Sequence, residues 1–122
     1  MHERSTTERA MRYCLALDLK DDPDSIARYD AYHARIWPEV AAHLRAHGVV
    51  ALEIYRLGTR LTMLMETDDA VFDAARFDAD TRADAKIVEW ETLMSTFQQP
   101  TPWTPAGSKW TPMTRIFDLS KQ

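Results

Sequence analysis

The amino-acid sequence predicts an α+β fold, and two patterns of apolar residues indicate it. Residues 12–20 alternate between apolar and polar positions, which is typical of a strand, and residues 49–57 and 60–67 form two more strands around a Gly-Thr turn. Residues 24–47 carry apolar side chains at helical spacing instead. The 122 residues are enough for one domain and too few for two of ordinary size. We therefore expect one sheet with helices packed on it.

The predicted elements follow the order β-α-β-β-α(α)-β. After the first strand, Pro23 and the neighbouring Asp and Ser residues start a helix near residue 24. Pro38 falls inside the apolar pattern of this helix, so the helix should kink or restart there, and Gly48 should end it. The elements predicted after the hairpin are helices at 68–80 and 83–97, an irregular proline-rich loop at 98–112 and a last strand at 113–120. This order is the ferredoxin-like arrangement, with four antiparallel strands and helices on one face.

The predicted sheet also carries information about assembly. A ferredoxin-like arrangement covers only one face of its sheet with helices. The apolar strand positions that we take to need burial on both faces are Tyr13, Leu15, Leu17, Leu61, Met63 and Met65. We therefore expect a homodimer in which the sheets of two copies pack against each other.

Composition and charge exclude several classes of protein. The net charge is −4 and basic residues do not cluster, which argues against a nucleic-acid surface. The single cysteine, Cys14, lies in an apolar run and is expected to be a small buried residue. Residues 1–10 lack the apolar segment of a signal peptide, and no apolar run approaches the roughly 18 residues of a membrane span. We expect a flexible N-terminal tail at 1–10, one domain at 11–122 and a cytoplasmic location.

A row of three side chains is the main candidate for a functional site. Tyr29, His33 and Trp37 follow one another at intervals of four, which places a phenol, an imidazole and an indole along one helix face. A histidine on an apolar face is usually a satisfied core residue. Here Pro38 opens the helix backbone beside the row, and a neutral imidazole next to a phenol suits proton transfer near pH 7. We therefore predict a pocket at this face with His33 as its acid–base group.

Tryptophan side chains are the expected walls of this pocket. Trp90 belongs to the inward face of the helix predicted at 83–97, and Trp103 and Trp110 lie in the proline-rich loop. Aromatic walls suit the apolar faces of a sugar ring. We expect Trp37, Trp90 and Trp103 to contact a monosaccharide, and the loop is either a lid over the pocket or a structural element.

A metal site is the competing interpretation of the same helix. His43 and His47 are four residues apart, and Glu39 lies one turn before them, a spacing that can hold a metal ion. These residues flank the inward face rather than occupy its centre, and the chain has no His-Glu-x-x-His motif. We therefore predict no metal and no cofactor, with these histidines on a solvated flank near the helix end.

The stretch YDAYHARIWPEVAAHLRAHGV, residues 29–49, resembles the L-rhamnose mutarotase family. The helix of that family carries Tyr-x-x-x-His, then Ile-Trp-Pro-Glu, and ends in His-Gly. The resemblance continues through EIYRLGTRLTMLMET and VEWETLM and spans residues 11–120. The combined motif is fairly specific, although no single part of it is. The resemblance implies a ferredoxin-like fold of the dimeric α/β-barrel type and cofactor-free exchange between the α and β anomers of a deoxyhexose.

The resemblance also implies roles for individual residues. By it, His33 is the proton donor and Tyr29 is a substrate contact. The adjacent Trp-Trp pair of the family corresponds to Trp90 and Glu91, and a tyrosine on the second strand corresponds to Leu52. Two sugar contacts therefore differ, and the tail WETLMSTFQQPTPWTPAGSKW is more similar to the branch associated with L-fucose. We expect L-fucose to be favoured over L-rhamnose.

Two other functional classes remain open from the sequence. The same fold hosts small cofactor-free monooxygenases and haem or other ligand-binding modules, and a fold does not determine a function. A non-enzymatic dimer that binds a ligand is the second class. Within the mutarotase interpretation, the base that works with His33 is a water molecule, Tyr29 or Glu91.

Overall fold

The computed structural model describes residues 10–122, and it has the predicted α+β architecture. The two-residue strands and the last helix are short, whereas the other elements are of ordinary length. In chain order the elements are β1 Ala10–Leu19, α1 Pro23–Ala34, α2 Pro38–Ala46, β2 Val49–Leu57, β3 Arg60–Asp68, α3 Ala74–Ala83, α4 Ala85–Ser95, β4 Gln98–Gln99, β5 Thr111–Pro112 and a 3₁₀ helix Leu119–Lys121.

The strands form one antiparallel sheet in the order β2-β3-β1-β4, and β5 also pairs with β1. The central pair, β1 and β3, is in register over its whole length, with Leu17 opposite Leu61. Helices α1 and α2 connect β1 to β2, and helices α3 and α4 connect β3 to β4. This topology confirms the predicted ferredoxin-like arrangement.

The first helical segment starts, restarts and ends where the sequence predicts. The carboxylate of Asp22 accepts a hydrogen bond from the Ser25 amide (3.1 Å) and caps α1. The helix ends at Ala34, and a new helix starts at Pro38, so the predicted restart is confirmed. Gly48 has a φ of 90°, and a Cβ at this position would lie 2.9 Å from Cβ of Val71. Only glycine fits this exit from α2.

The two later helices are shorter than predicted because aspartate caps determine where they start. The helix predicted at 68–80 begins only at Ala74, because Asp73 is its N-cap and accepts a hydrogen bond from the Arg76 amide (2.9 Å). The helix predicted at 83–97 runs over 85–95, and Asp84 caps it.

The predicted last strand at 113–120 is wrong. The outer edge of β1 is occupied instead by β4 and β5, which lie at the two ends of the proline-rich loop. Pro112 has no N–H to donate to the ladder, and the pairing stops at the hydrogen bond from the Met113 amide to the Cys14 carbonyl (2.8 Å). Ile116 and Phe117 are therefore exposed, and only a short 3₁₀ helix follows them.

The hydrophobic core lies between the sheet and the helices, on one face of the sheet. Its buried members are Leu17, Leu19, Tyr29, Val40, Leu61, Ile87, Trp90, Met94 and Phe97. The expectation that the six apolar strand positions need burial on two faces is wrong. All six lie on this one face, because they are directly paired as Tyr13–Met65, Leu15–Met63 and Leu17–Leu61. The opposite face carries Cys14 and Leu64, which are a register pair, together with Tyr55 and Leu57.

Two further expectations concern the ends and the surroundings of the chain. A flexible tail was expected at residues 1–10, and residues 1–9 lie outside the part of the chain that the structure describes. Ala10 already belongs to β1, where it pairs with Asp68. Within residues 10–122, the helices are too short or too polar to cross a membrane.

Candidate active site

Tyr29 and His33 of the predicted row lie on the inner face of α1, where the helix approaches the sheet. Trp37 lies beyond the end of α1, at the N-cap of α2, so the prediction that all three share one helix face is wrong for Trp37. Tyr29 is almost fully buried, with 2% of its surface exposed, and His33 is half-buried beside it. The two rings are neighbours with centroids 4.2 Å apart. The i, i+4 spacing of the sequence thus brings the phenol and the imidazole together as expected.

A cavity of about 150 Å³ opens beside these two rings, between α1, α2, α4 and the sheet. Drug-sized ligands bind in pockets of roughly 300–1,000 Å³, so this cavity suits a ligand as small as one sugar ring. The side chains that line it are Tyr29, His33, Ile36, Val40, Leu44, Leu52, Ile54, Met63, Trp90, Glu91, Met94, Gln98, Lys109 and Trp110. Five of the seven predicted site residues are among them, whereas Trp37 and Trp103 are not.

The imidazole of His33 is held in one orientation. Its Nδ1 lies 2.8 Å from the carbonyl oxygen of Tyr29, and because a carbonyl only accepts, Nδ1 carries the proton. In the neutral ring Nε2 then has a lone pair and can exchange a proton with a ligand. Burial lowers the pKa of His33, and this effect outweighs the Tyr29 carbonyl and the Asp30 carboxylate, which raise it. The neutral form of His33 therefore predominates at pH 7.

The phenol of Tyr29 is held by a residue that the sequence analysis missed. Gln98, in β4, donates a hydrogen bond from Nε2 to the phenol oxygen (3.2 Å). Burial raises the pKa of Tyr29, so the phenol keeps its proton at neutral pH. In the sequence, the one indication that Gln98 belongs to the site is its polar side chain directly after Phe97.

Two of the predicted tryptophans form a pair, but only one of them reaches the cavity. The indole of Trp90 lies 5.6 Å from the His33 ring, and Trp37 packs against the same indole at 5.1 Å. The ammonium of Lys86 lies 4.4 Å from the ring centre of Trp37. Trp37 therefore supports Trp90 through packing rather than facing the cavity.

The proline-rich loop contributes Lys109 and Trp110 to the cavity rather than Trp103. The hydroxyl of Thr104 accepts from the Thr101 amide (2.9 Å) and from the Thr111 hydroxyl (2.9 Å), which ties the two ends of the loop together. Trp103 points outward, with 74% of its surface exposed. Trp103 therefore does not line this cavity, whereas Trp110 does.

The polar end of the cavity contains an ion pair. A carboxylate oxygen of Glu91 lies 3.8 Å from the Lys109 ammonium, which also donates to the Ser95 hydroxyl (2.8 Å). About half of the Glu91 side chain is exposed, so the pair sits at the cavity rim. Leu52 presents only alkyl groups to the cavity from β2. Leu52 and Glu91, the two positions expected to influence the choice of sugar, thus both line the cavity.

His43 and His47, the two histidines considered as metal ligands, contact residues of α3. Nε2 of His43 lies 2.9 Å from the Thr81 hydroxyl, and Nε2 of His47 lies 3.2 Å from the Asp80 carboxylate. Within the described part of the chain, no three His, Cys, Asp or Glu side chains are grouped so that they could hold a metal ion.

The fold and the site define a small α+β protein with an aromatic, histidine-bearing pocket, and comparisons with known proteins identify its family. The family model for L-rhamnose mutarotase matches residues 12–119, so the chain belongs to the L-rhamnose mutarotase family. It is therefore a sugar mutarotase, an isomerase whose substrate is a monosaccharide. This finding favours the enzyme over the monooxygenase and the non-enzymatic alternatives.

One relative agrees with this assignment by name, and two others are similar in sequence or in fold. The chain is 43% identical over 112 residues to an L-fucose mutarotase of Xanthomonas campestris pv. campestris, which covers 90% of this chain and 89% of the relative. It is 36% identical over 110 residues to a UPF0734 protein of Dictyostelium discoideum, with 88% of each chain covered. The crystal structure of an L-rhamnose mutarotase from Formosa agariphila superimposes with a TM-score of 0.64 at 19% identity, over 89% of this chain and 98% of that chain. The last similarity concerns the fold.

Proposed function

We propose that the protein exchanges the α and β anomers of a 6-deoxyhexose, with His33 as general acid–base. The observation that carries this proposal is the orientation of the imidazole. The hydrogen bond from Nδ1 to the Tyr29 carbonyl leaves Nε2 as the ring nitrogen that can reach a ligand in the cavity. The cavity itself combines an indole wall from Trp90 and Trp110 with hydrogen-bonding groups at the other end.

The reaction needs two proton movements. The anomeric hydroxyl loses a proton, the bond between the anomeric carbon and the ring oxygen breaks, and the ring oxygen gains a proton. The aldehyde then rotates about its bond to the chain, and closure in the reverse sense gives the other anomer. Nε2 of His33 accepts the hydroxyl proton when the imidazole is neutral and donates a proton when it is protonated. When the neutral imidazole takes the hydroxyl proton, the Tyr29 phenol or a water molecule gives the proton to the ring oxygen. When the protonated imidazole gives that proton, Glu91 or a water molecule takes the hydroxyl proton.

We propose L-fucose as the favoured substrate over L-rhamnose. Leu52 offers no hydrogen bond to a sugar, and a hydroxyl buried against it would lose about 1–3 kcal/mol. Glu91 offers a carboxylate that can accept from two adjacent hydroxyls on one face. L-fucose presents such a pair at C3 and C4, whereas L-rhamnose presents it at C2 and C3, so the position of Glu91 selects between them. The 43% identity to an L-fucose mutarotase supports the same choice.

Saturation-transfer NMR on a panel of 6-deoxyhexoses and pentoses tests both proposals. It measures the rate at which magnetisation passes between the two anomers, and heat-denatured protein gives the uncatalysed rate. We expect the protein to accelerate exchange most for L-fucose. Absence of acceleration for every sugar would contradict the activity, and faster exchange of L-rhamnose would contradict the preference alone.

We further propose that the protein is a homodimer that buries the sheet face opposite the helices. Leu64 at the centre of that face is 42% exposed, and Tyr55 beside it is 56% exposed. A groove of about 860 Å³ crosses the face between β1, β2, β3 and the segment that begins at Met113. A second copy that covers this groove would remove these apolar groups from water.

A further inference from the structure

One polar atom beside the cavity is buried without a partner. Oε1 of Gln98 is inaccessible to water and has no hydrogen-bond partner among residues 10–122. A buried acceptor in this condition is unfavourable, and folded proteins rarely retain one without a reason. The other end of the same amide is satisfied, because Nε2 donates to the phenol oxygen of Tyr29 (3.2 Å).

The position of Gln98 makes a ligand the natural partner of this acceptor. Gln98 belongs to the side chains that line the cavity, and the backbone holds it in β4, opposite Leu19 of β1. The torsion that rotates a terminal amide is soft, and the bond from Nε2 to the phenol oxygen is long (3.2 Å), so a small rotation can expose Oε1 to a hydroxyl in the cavity while Nε2 stays within reach of Tyr29. The phenol of Tyr29 lies beside this amide, and within residues 10–122 no group donates to Oε1.

The hydrogen bond to Tyr29 has a second consequence. The phenol oxygen accepts the amide proton of Gln98, so the phenol does not donate its own proton to that amide nitrogen. Its O–H is therefore available to a ligand. Gln98 thus prepares two adjacent groups, an acceptor of its own and the donor of Tyr29.

We propose that Gln98 binds one ring hydroxyl of the sugar through Oε1 while Nε2 holds the phenol of Tyr29 as a donor to the same sugar. This inference rests on the proposed mutarotase function. It assigns a substrate-binding residue outside the row on α1, contributed by the short strand at the start of the proline-rich loop.

The test compares Gln98→Met with the wild type and with Gln99→Met as the matched control. Methionine keeps the length of the side chain and removes both hydrogen-bonding groups, and Gln99 is the exposed neighbour in the same strand. Anomer exchange is measured by saturation-transfer NMR on L-fucose and on its monodeoxy analogues, each of which lacks one ring hydroxyl. Binding of the same sugars is measured through tryptophan fluorescence, since Trp90 and Trp110 line the cavity.

We expect Gln98→Met to raise KM and Kd for L-fucose on the order of tenfold, the effect of one lost buried hydrogen bond. For one of the deoxy analogues the wild type should already be weakened to a similar degree, and Gln98→Met should weaken it little further. Gln99→Met should match the wild type throughout. This pattern identifies the hydroxyl that Oε1 accepts.

Two outcomes would overturn the proposal by itself. In the first, Gln98→Met behaves as the wild type. In the second, Gln98→Met raises KM and Kd by the same factor for L-fucose and for every deoxy analogue, which means that Gln98 acts only through Tyr29. A wild type that binds L-fucose without exchanging its anomers contradicts the proposed function, and the binding data then still decide the role of Gln98. A wild type that neither binds nor exchanges L-fucose or L-rhamnose overturns both proposals.

Discussion

Replacement of His33 by alanine should remove most of the anomer exchange and leave the fold intact. General acid–base catalysis by one positioned group contributes about 10²–10⁴-fold, so kcat should fall by that factor if Nε2 carries a proton in the reaction. KM should change less, because the cavity keeps Tyr29, Trp90 and its other walls.

The cost of this change to stability follows from the contacts of the imidazole. The variant loses the hydrogen bond to the Tyr29 carbonyl, worth about 1 kcal/mol, and ring contacts with Tyr29 and Trp90, worth about 0.5–1.5 kcal/mol. Alanine regains a few tenths of a kcal/mol from its helix propensity. The net loss of about 1–2 kcal/mol is small beside the roughly 5–15 kcal/mol of an ordinary domain.

Saturation-transfer NMR gives the rate, and circular dichroism with thermal unfolding gives the fold. His43→Ala serves as the matched control, because His43 lies ten residues further on and contacts Thr81 rather than the cavity. If His33→Ala exchanges anomers at nearly the wild-type rate, His33 is a core residue and the proposed mechanism is wrong. A kcat loss of the same size in His43→Ala would also refute the reasoning.

The pKa of His33 gives the same site a pH dependence with a defined sign. Burial lowers this pKa below 6.5, so the neutral imidazole predominates at pH 7. Exchange that needs the neutral ring should decline as pH falls through the lowered pKa, with a midpoint below 6.5. Because the unfolded chain binds a proton at higher pH than the folded one, the contribution of His33 to stability also decreases as pH falls below 6.5. A rate profile whose midpoint lies above that value would contradict this assignment.

Three further predictions address the sugar, the metal and the assembly. Glu91→Trp should shift the ratio of exchange rates on L-fucose and L-rhamnose toward L-rhamnose, and an unchanged ratio would show that position 91 does not select the sugar. Treatment with a chelator should leave the rate unchanged, as should His43→Ala; loss on chelation that zinc restores would revive the metal interpretation. By light scattering, the wild type should have twice the mass of a monomer, and Leu64→Lys should have the mass of a monomer. Val88→Lys is the matched control and should stay dimeric, because Val88 lies on a helix and is about as exposed as Leu64 (41% against 42%). A monomeric wild type at micromolar concentration would refute the packing.

The sequence alone determined the features that depend on neighbours along the chain. The i, i+4 spacing of Tyr29 and His33 places their rings together, and Pro38 restarts the helix because it can neither donate a hydrogen bond nor fit inside a helix turn. Gly48 ends α2 because glycine adopts a φ of 90° without the strain that a side chain would cause. These rules act within one or two turns, so they can be applied without knowledge of the fold.

Only the tertiary structure decided which distant residues complete the cavity. Trp103 and Trp110 lie in the same proline-rich loop, and nothing in the sequence tells which of them faces the cavity. The hydrogen bonds of Thr104 to Thr101 and Thr111 shape the loop so that Trp103 is in solvent and Trp110 lines the cavity. Gln98 reaches Tyr29 across 69 residues of sequence because β4 pairs with the end of β1. The last strand was predicted wrongly for the related reason that its place beside β1 is taken by β4 and β5. Periodicity reports which face of an element is apolar, whereas the path of the chain determines which partner that face meets.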